Sequence, residues 1–398
     1  MVEKKTKQKV LIVDTYSQKS LHEMFNTSLI LMLSMIFEKV DLRISKSSYE
    51  NYLKIIDRKS PQNIKYKDVY VIEGSGRFKL LLRYLVSAFQ NAKYLIISPK
   101  DTIIVFPYNN LFSIRMLNFL NKFFKKKILI FCHGEMEGIV IDVEKTGLLH
   151  RVLLKLSRNF FLNKNVKISD GIYFSVLGDV LKQNICKIID TDKADKFLSV
   201  DHPYLFEIGK KNIKQTSKLN IATVGTMNKT KGLLNFVKFA NKINPLVKGK
   251  VNISVIGLVS ENYNLFDGSC IELTPDNKVS LSRNDFDNRV NDLDYILFFY
   301  PKDSYTITAS GAIMDAINFE KPILALNNSY FQYIFSKYGA FGFLFDTVDE
   351  MVSKVEILSS TETTLNIDFH SLKAKLTPKA LSSQLLNELI RIDFLKLD

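Results

Sequence analysis

The 398-residue sequence contains no tryptophan and only three cysteines. Cys132, Cys186 and Cys270 are far apart and odd in number, so they form neither a disulfide framework nor a paired metal knuckle. Five scattered histidines add no zinc ligand set, and no metal site is expected. Long apolar runs are scarce as well. The longest near the amino terminus, residues 29–37, is broken by serine and falls short of the about 20 residues that a spanning helix needs. The basic opening MVEKKTKQKV passes straight into an apolar run without a small-residue cleavage site, unlike a secretory signal. No internal repeat of about 20–50 residues is visible, which argues against a solenoid or propeller. A soluble, cytoplasmic chain is the expectation.

What is present is ordinary in amount and uneven in placement. Hydrophobic residues make up 46% and charged residues 24%, in the globular range. The length suits two domains. Of the net charge of +14, residues 1–210 carry +13 and the remainder +1. The first half is therefore expected to face something anionic.

Short apolar runs alternate with helical stretches through both halves. In the first half, strands are expected at 9–14, 69–73, 94–97, 103–107 and 128–133, with helices over 21–40 and 111–124. The polar, lysine-rich stretch 207–218 reads as a linker. Beyond it, strands are expected at 219–224, 251–256, 271–273, 295–299 and 322–326. Helices fall at 233–243, around 285–292 and at 311–318. The pattern predicts an α/β protein of two doubly wound, Rossmann-like domains facing across a cleft. The boundaries are 1–208 and 209–375, with a helix over 376–398 that is free to pack back towards the first domain.

In such sheets, ligands gather at the carboxyl ends of the strands. The loop Gly225-Thr226-Met-Asn-Lys-Thr-Lys231-Gly232 follows a strand and opens a helix, so its amides and Lys231 suit a phosphate. A solvated loop with ordinary lysines would look the same. A second loop, residues 306–322, contains Thr308, Ser310 and Gly311 at a helix start, where amides and hydroxyls meet an anion. Asp315, one turn on, is suited to hydrogen bonds from a ribose, although a capped helix with a surface aspartate fits equally. Thr274 joins this set. In the first half, His133 follows a strand and is expected to donate to a sugar hydroxyl or phosphate, with Glu135 or Glu137 as a base. A histidine bonded to turn backbone is the structural alternative. His22, Glu23 and Asn26 open the first helix, at an end expected to face the cleft, although ordinary capping residues would look the same.

The order and spacing of the two later loops resemble the carboxyl-terminal domain of GT-B nucleotide-sugar glycosyltransferases of the family-4-like group. Gly225, Lys231 and Gly232 match that group's Gly-Arg-x4-Lys-Gly, with Thr226 in place of the arginine. Asp315 and Lys321-Pro322 match the end of its Glu-x7-Glu…Gly-Lys-Pro. Ile307 stands where the first acid would be, and Glu320 replaces the glycine. The Ala-Ser-Gly-x3-Asp-Ala variant resembles bacterial surface-polysaccharide transferases. The resemblance implies a nucleotide-sugar co-substrate, no obligatory metal, a saccharide acceptor on polyprenyl diphosphate and acceptor contacts at His22, Glu23 and Asn26.

The segment 148–164 reads as a basic amphipathic helix, suited either to an anionic bilayer interface or to a core helix with a solvated basic edge. Peripheral attachment to the inner face of the cell membrane is the corresponding expectation. No RRM, KH, zinc-finger or helix-turn-helix signature is evident, so nucleic acid is not an expected partner. A non-catalytic glycosyltransferase-like subunit and a nucleotide-sugar epimerase are the rival functions.

Overall fold

The computed structural model describes residues 5–396 except 20, 75, 109, 141–147, 207–217, 248, 261–265, 267–270, 280 and 362–364. The stretch read as a linker lies, apart from Lys218, outside the described residues, as does Cys270. By contacts the chain divides into two units. One comprises Met1–Leu205, Ile307–Ala309 and Leu376–Asp398. The other comprises Phe206–Thr306 and Ser310–Lys375.

The first unit runs β1 (Thr6–Val13), α1 (Glu23–Ile36), β2 (Phe37–Ile44), α2 (Lys46–Ile55), β3 (Ile64–Asp68), α3 (Arg77–Ile97) and β4 (Ile103–Phe106). It continues α4 (Leu111–Phe124), β5 (Lys127–Phe131), α5 (Leu148–Leu162), β6 (Ile172–Val176), α6 (Asp179–Cys186), α7 (Thr191–Ala194) and β7 (Phe197–Ser199). All strands are parallel, in the order β3-β2-β1-β4-β5-β6-β7. The middle strands are unbroken aliphatic runs because both faces are covered: Ile103–Phe106 and Ile128–Phe131 are fully buried. Strand order reverses between β1 and β4, so the loops after them frame the crevice where such sheets bind ligands.

The second unit holds β8 (Leu219–Val224), α8 (Leu233–Val247), β9 (Val251–Ile256), β10 (Ile271–Glu272), α9 (Arg283–Asn291), β11 (Tyr295–Phe298) and α10 (Gly311–Asn318). After these come β12 (Ile323–Leu326), α11 (Ser329–Tyr338), β13 (Gly342–Phe345), α12 (Val348–Leu358) and α13 (Phe369–Lys375). Its sheet, parallel in the order β10-β9-β8-β11-β12-β13, reverses between β8 and β11. The last helix, α14 (Pro378–Arg391), packs on α1 in the first unit. There Tyr204 N donates to Leu376 O (3.1 Å) and Lys127 Nζ to Asp393 O (2.8 Å).

Three expectations need correction. The helix expected over 21–40 stops at Ile36 and turns directly into β2, with Phe37 N donating to Leu33 O. No Gly or Pro marks that break. The residues expected to form a strand at 94–97 are the last turn of α3, since a short aliphatic run has no period of its own. The strand expected at 69–73 lies earlier, as β3. That polar edge strand carries Lys65 and Lys67 and has little apolar signal.

The basic helix α5 is the core alternative rather than a bilayer helix. Leu154, Phe160 and Phe161 are buried in the unit, and Phe161 packs edge-on to Phe174 at 5.4 Å. These three side chains of its apolar face are therefore covered by protein.

Candidate functional site

Each unit brings a set of polar groups to its strand-order reversal. In the second, β8 ends at Val224 and the chain turns through Gly225, at φ 79°. Asn228 Oδ1 accepts from Lys231 N (3.0 Å), forming the short 3-10 turn Lys229–Lys231 before Gly232. The Lys231 ammonium folds back over Gly225: a Cβ there would lie 3.4 Å from Nζ. Among the described residues Nζ makes no hydrogen bond. Burial pulls its pKa down to about 8, against the raising effect of Asp315.

Asp315 sits in α10, whose opening residue Gly311 is exposed and faces open space. Its Oδ1 lies 3.6 Å from Arg283 Nη1 at the start of α9. Asp315 thus faces two cations, but Arg283 is held more closely by Asp287 (Nε to Oδ1, 2.8 Å), so two carboxylates balance Lys231 and Arg283 beside the first amides of α10. Arg283 was missed by sequence reasoning because no motif marks it. It supplies a cation near Asp315, whereas Thr226, half-buried after Gly225, replaces the motif's arginine.

The other hydroxyls expected here are committed within the protein. Ser310 Oγ lies 2.9 Å from Tyr300 Oη, so only its backbone remains for an anion. Thr274 caps a 3-10 turn with Asn277. Buried Asn277 in turn donates from Nδ2 to Val255 O (2.9 Å) and Gly257 O (2.7 Å). Gly257 backs directly onto the Gly225 carbonyl, which a Cβ would overlap, so Thr274 acts on the loop through Asn277. Thr308 belongs to the first unit: its Oγ1 donates to His133 O (3.3 Å).

Glu320, in place of the motif's glycine, adopts φ 53°, a conformation that glycine takes without cost. Its Oε1 accepts an ion pair from Lys373 at 3.0 Å.

In the first unit, Asp14 follows β1 and is 2% exposed. Its Oδ1 accepts from Tyr16 N (3.0 Å) and Ser17 N (2.8 Å), and its Oδ2 from Asn26 Nδ2 (3.1 Å). Asn26 Oδ1 is buried without a partner among the described residues. Asp14, Glu23 and Asn26 line one cavity of about 20 Å³, room for a single water.

His22 precedes α1 at φ 54°, strained for a residue with a side chain, and makes no cap bond. Its ring stacks on His133 at 4.7 Å, and Phe25 meets His133 edge-on at 4.5 Å and His202 at 5.3 Å. Burial lowers the pKa of all three histidines: His22 despite Asp14, His133 well below its usual value, and His202 to about 4. They are neutral at pH 7.

His133 Nε2 lies 2.9 Å from Pro107 O and must be the protonated nitrogen there. The donor expected for a phosphate is therefore spent, and Nδ1 remains as an acceptor. Glu135 Oε1 accepts from His133 N (2.9 Å), whereas Oε2 is buried without a partner among the described residues. Burial, partly offset by backbone N–H bonds, pushes this carboxyl up to about 7. Glu137 Oε1 accepts from Ile307 N (3.3 Å), which brings a carboxylate to the residue standing where the motif's first acid is lacking. Asp14 was legible only as the end of a strand, and His202 carried no signal.

Among the described residues no group of three His, Cys, Asp or Glu is arranged to hold a metal ion, and no helix is long and apolar enough to cross a membrane. No family model matches the sequence, and no curated protein matches it. Solved structures do. The lipopolysaccharide outer core galactosyltransferase WaaB, in its apo form, aligns with TM-score 0.58 at 12% identity, over 96% of this chain and 99% of its own. A mutant of S. aureus TarM, in complex with Fondaparinux, alpha-GlcNAc-glycerol and UDP, aligns with TM-score 0.63 at 10% identity, over 98% and 100%. A putative UDP-N-acetylglucosamine 2-epimerase from Listeria monocytogenes aligns with TM-score 0.52 at 12% identity, over 99% and 98%. Identities this low establish a fold and leave the chemistry to the site.

Proposed function

We propose that this chain, which has the GT-B fold, is a glycosyltransferase moving a sugar from a nucleotide-sugar to a saccharide acceptor of a surface polysaccharide, carried on a polyprenyl diphosphate lipid. The carrying observation is the arrangement of Lys231 over Gly225 beside the Asp315–Arg283 pair. It offers the Lys231 ammonium and the first amides of α10 to a diphosphate, with Asp315, paired to Arg283, beside them to meet ribose hydroxyls. Stabilising the leaving nucleoside diphosphate is the main catalytic contribution in this reading. Gly225, Thr226, Lys231, Gly311 and Asp315 form the donor site, with Thr274 and Ser310 as its supports, whereas Thr308 supports His133 in the first unit.

In the first unit, His22, Glu23 and Asn26 are the acceptor-binding residues of this reading, with the orphaned Asn26 Oδ1 served by a single water in its small cavity. Glu135, titrating near neutrality, moves the acceptor proton, and His133 positions it through the His133 N–Glu135 bond.

The test is a thermal-shift screen of UDP, GDP, ADP, CMP and TDP, then donor hydrolysis with the matching sugar nucleotides in EDTA. We expect one nucleotide to stabilise the protein and its sugar to be released slowly without metal. Absence of both would favour the non-catalytic subunit. Conversion of the sugar nucleotide to an epimer with no acceptor present would identify the epimerase. A strict Mg²⁺ requirement would contradict the metal-free reading.

The acceptor's membrane is met, in this proposal, by α3 and α4 in place of α5. Phe78, Phe89, Phe119 and Phe123 are 60–72% exposed on these two packed helices. Residues 77–127 contain ten Lys or Arg and one acid. Exposed phenylalanines among lysines suit an anionic interface, each cation near the surface adding about 1 kcal/mol. Vesicles rich in anionic lipid should co-float the protein at low salt and release it at about 0.5 M salt, where screening is strong. A Phe89→Ser/Phe123→Ser variant should float at least tenfold less. Equal recovery with neutral vesicles would remove the proposal.

A further inference from the structure

The first unit contains a second, larger cavity, of whose lining the donor and acceptor assignments above use Glu135 alone. Its volume is about 240 Å³, enclosed by α3, the start of α4, the turn after β5 and α5. Phe112, Ile114, Leu154 and Phe161 supply apolar walls, and Tyr84 and Tyr108 present rings. Among the described residues no lysine or arginine lines it. Its most polar member is Glu135, whose Oε2 is buried and unpartnered.

We infer that this cavity binds an uncharged apolar group carrying a hydroxyl, with the hydroxyl hydrogen-bonded to Glu135 Oε2. The inference rests on the reading of the first unit as the acceptor unit and narrows it: the acceptor carries an apolar body next to a hydroxyl. Three features select that chemistry. A fully hydroxylated sugar would strand its hydroxyls against Phe112, Ile114 and Leu154, each a desolvated polar group without a partner. A phosphate or sulfate would find no cation and a carboxyl in its place. A purely apolar occupant would leave Glu135 Oε2 unsatisfied. The volume exceeds that of the roughly 150 Å³ cavity known to accept benzene, so a chain of about eight carbons fits.

Because the protein has no tryptophan, Phe112→Trp makes a single indole at the cavity wall, which can be excited selectively over the tyrosines. Titration of this variant with 1-alkanols from butanol to decanol should give a saturable fluorescence change. Affinity should rise about fourfold per methylene up to about eight carbons and then level off. Octyl sulfate should bind at least tenfold more weakly than octanol. Adding Ser157→Phe, which fills the cavity from α5, should abolish the signal, and Glu135→Leu should remove the preference for octanol over octyl sulfate at unchanged fold. Circular dichroism melting identifies any variant that fails to fold, and either variant alone suffices for the test.

No saturable change, a rise that continues beyond eight carbons as in surface partitioning, or equal binding of octyl sulfate would overturn the inference. Nucleotide binding, read separately at the second unit, reports on the glycosyltransferase reading. Alkanol binding in a protein that binds no nucleotide would leave the cavity assignment standing and remove the acceptor role.

Discussion

Lys231→Met should melt at a higher temperature than the parent protein while binding a nucleoside diphosphate at least a hundredfold more weakly. The ammonium lies over Gly225 without a hydrogen bond among the described residues, and its pKa falls to about 8 because burial outweighs the help of Asp315. The charge therefore opposes folding at neutral pH. Between about pH 8 and the ordinary lysine value near 10.4, the unfolded chain holds a proton that the folded one has released. Parent stability should accordingly rise with pH through that window, and the advantage of the methionine variant should vanish above it. At pH 7 the gain is on the order of 3 kcal/mol, or roughly 10 °C.

The same charge is what a diphosphate requires. Parent affinity should be level near pH 7 and fall by up to about tenfold per pH unit above 8, as Lys231 deprotonates. Calorimetric titration with the nucleotide found in the thermal screen measures both. Undiminished affinity in the variant would remove Lys231 from the donor site, whatever its melting temperature.

Gly232→Ala should unfold the second unit, whereas Gly225→Ala should not. Both glycines have positive φ, 81° and 79°, but their surroundings differ. A Cβ on Gly232 would overlap the Phe299 carbonyl oxygen at the end of β11, and neither backbone can yield without separating the loop from the sheet. We expect a loss of roughly 3–5 kcal/mol. On Gly225 the nearest atom is the mobile end of Lys231, so the cost is backbone strain of about 1 kcal/mol together with a displaced ammonium. Gly225→Ala should therefore fold and bind nucleotide poorly. Thermal melts followed by circular dichroism distinguish the two, and a Gly232→Ala variant melting like the parent would refute this account of the loop.

The two glycines show how far the motif could be read. Their spacing with Lys231 was legible because a strand end, a tight turn and a helix start are local features of fewer than ten residues. Which glycine faces a ligand and which faces Phe299 depends on β11, about 70 residues away. Ser310 and Thr308 make the same point from positions one residue removed from each other. They looked alike as hydroxyls near a helix start, yet one is held by Tyr300 and the other by the His133 carbonyl. The amphipathic pattern of α5 did not reveal whether lipid or protein covers its apolar face, since both solvents reward the same periodicity.

What the sequence determined by itself is the doubly wound character of both halves, the position of the strand-end loops, the uneven charge and the near match to a nucleotide-sugar motif. These follow from periodicity and from residues close together in the chain. The tertiary structure decided the pairing of Arg283 with Asp315, the burial that neutralises His22, His133 and His202, the spent Nε2 of His133 and the unpartnered oxygen of Glu135. Desolvation and hydrogen-bond completion depend on every neighbour in space, most of them remote in sequence, so no local pattern encodes them.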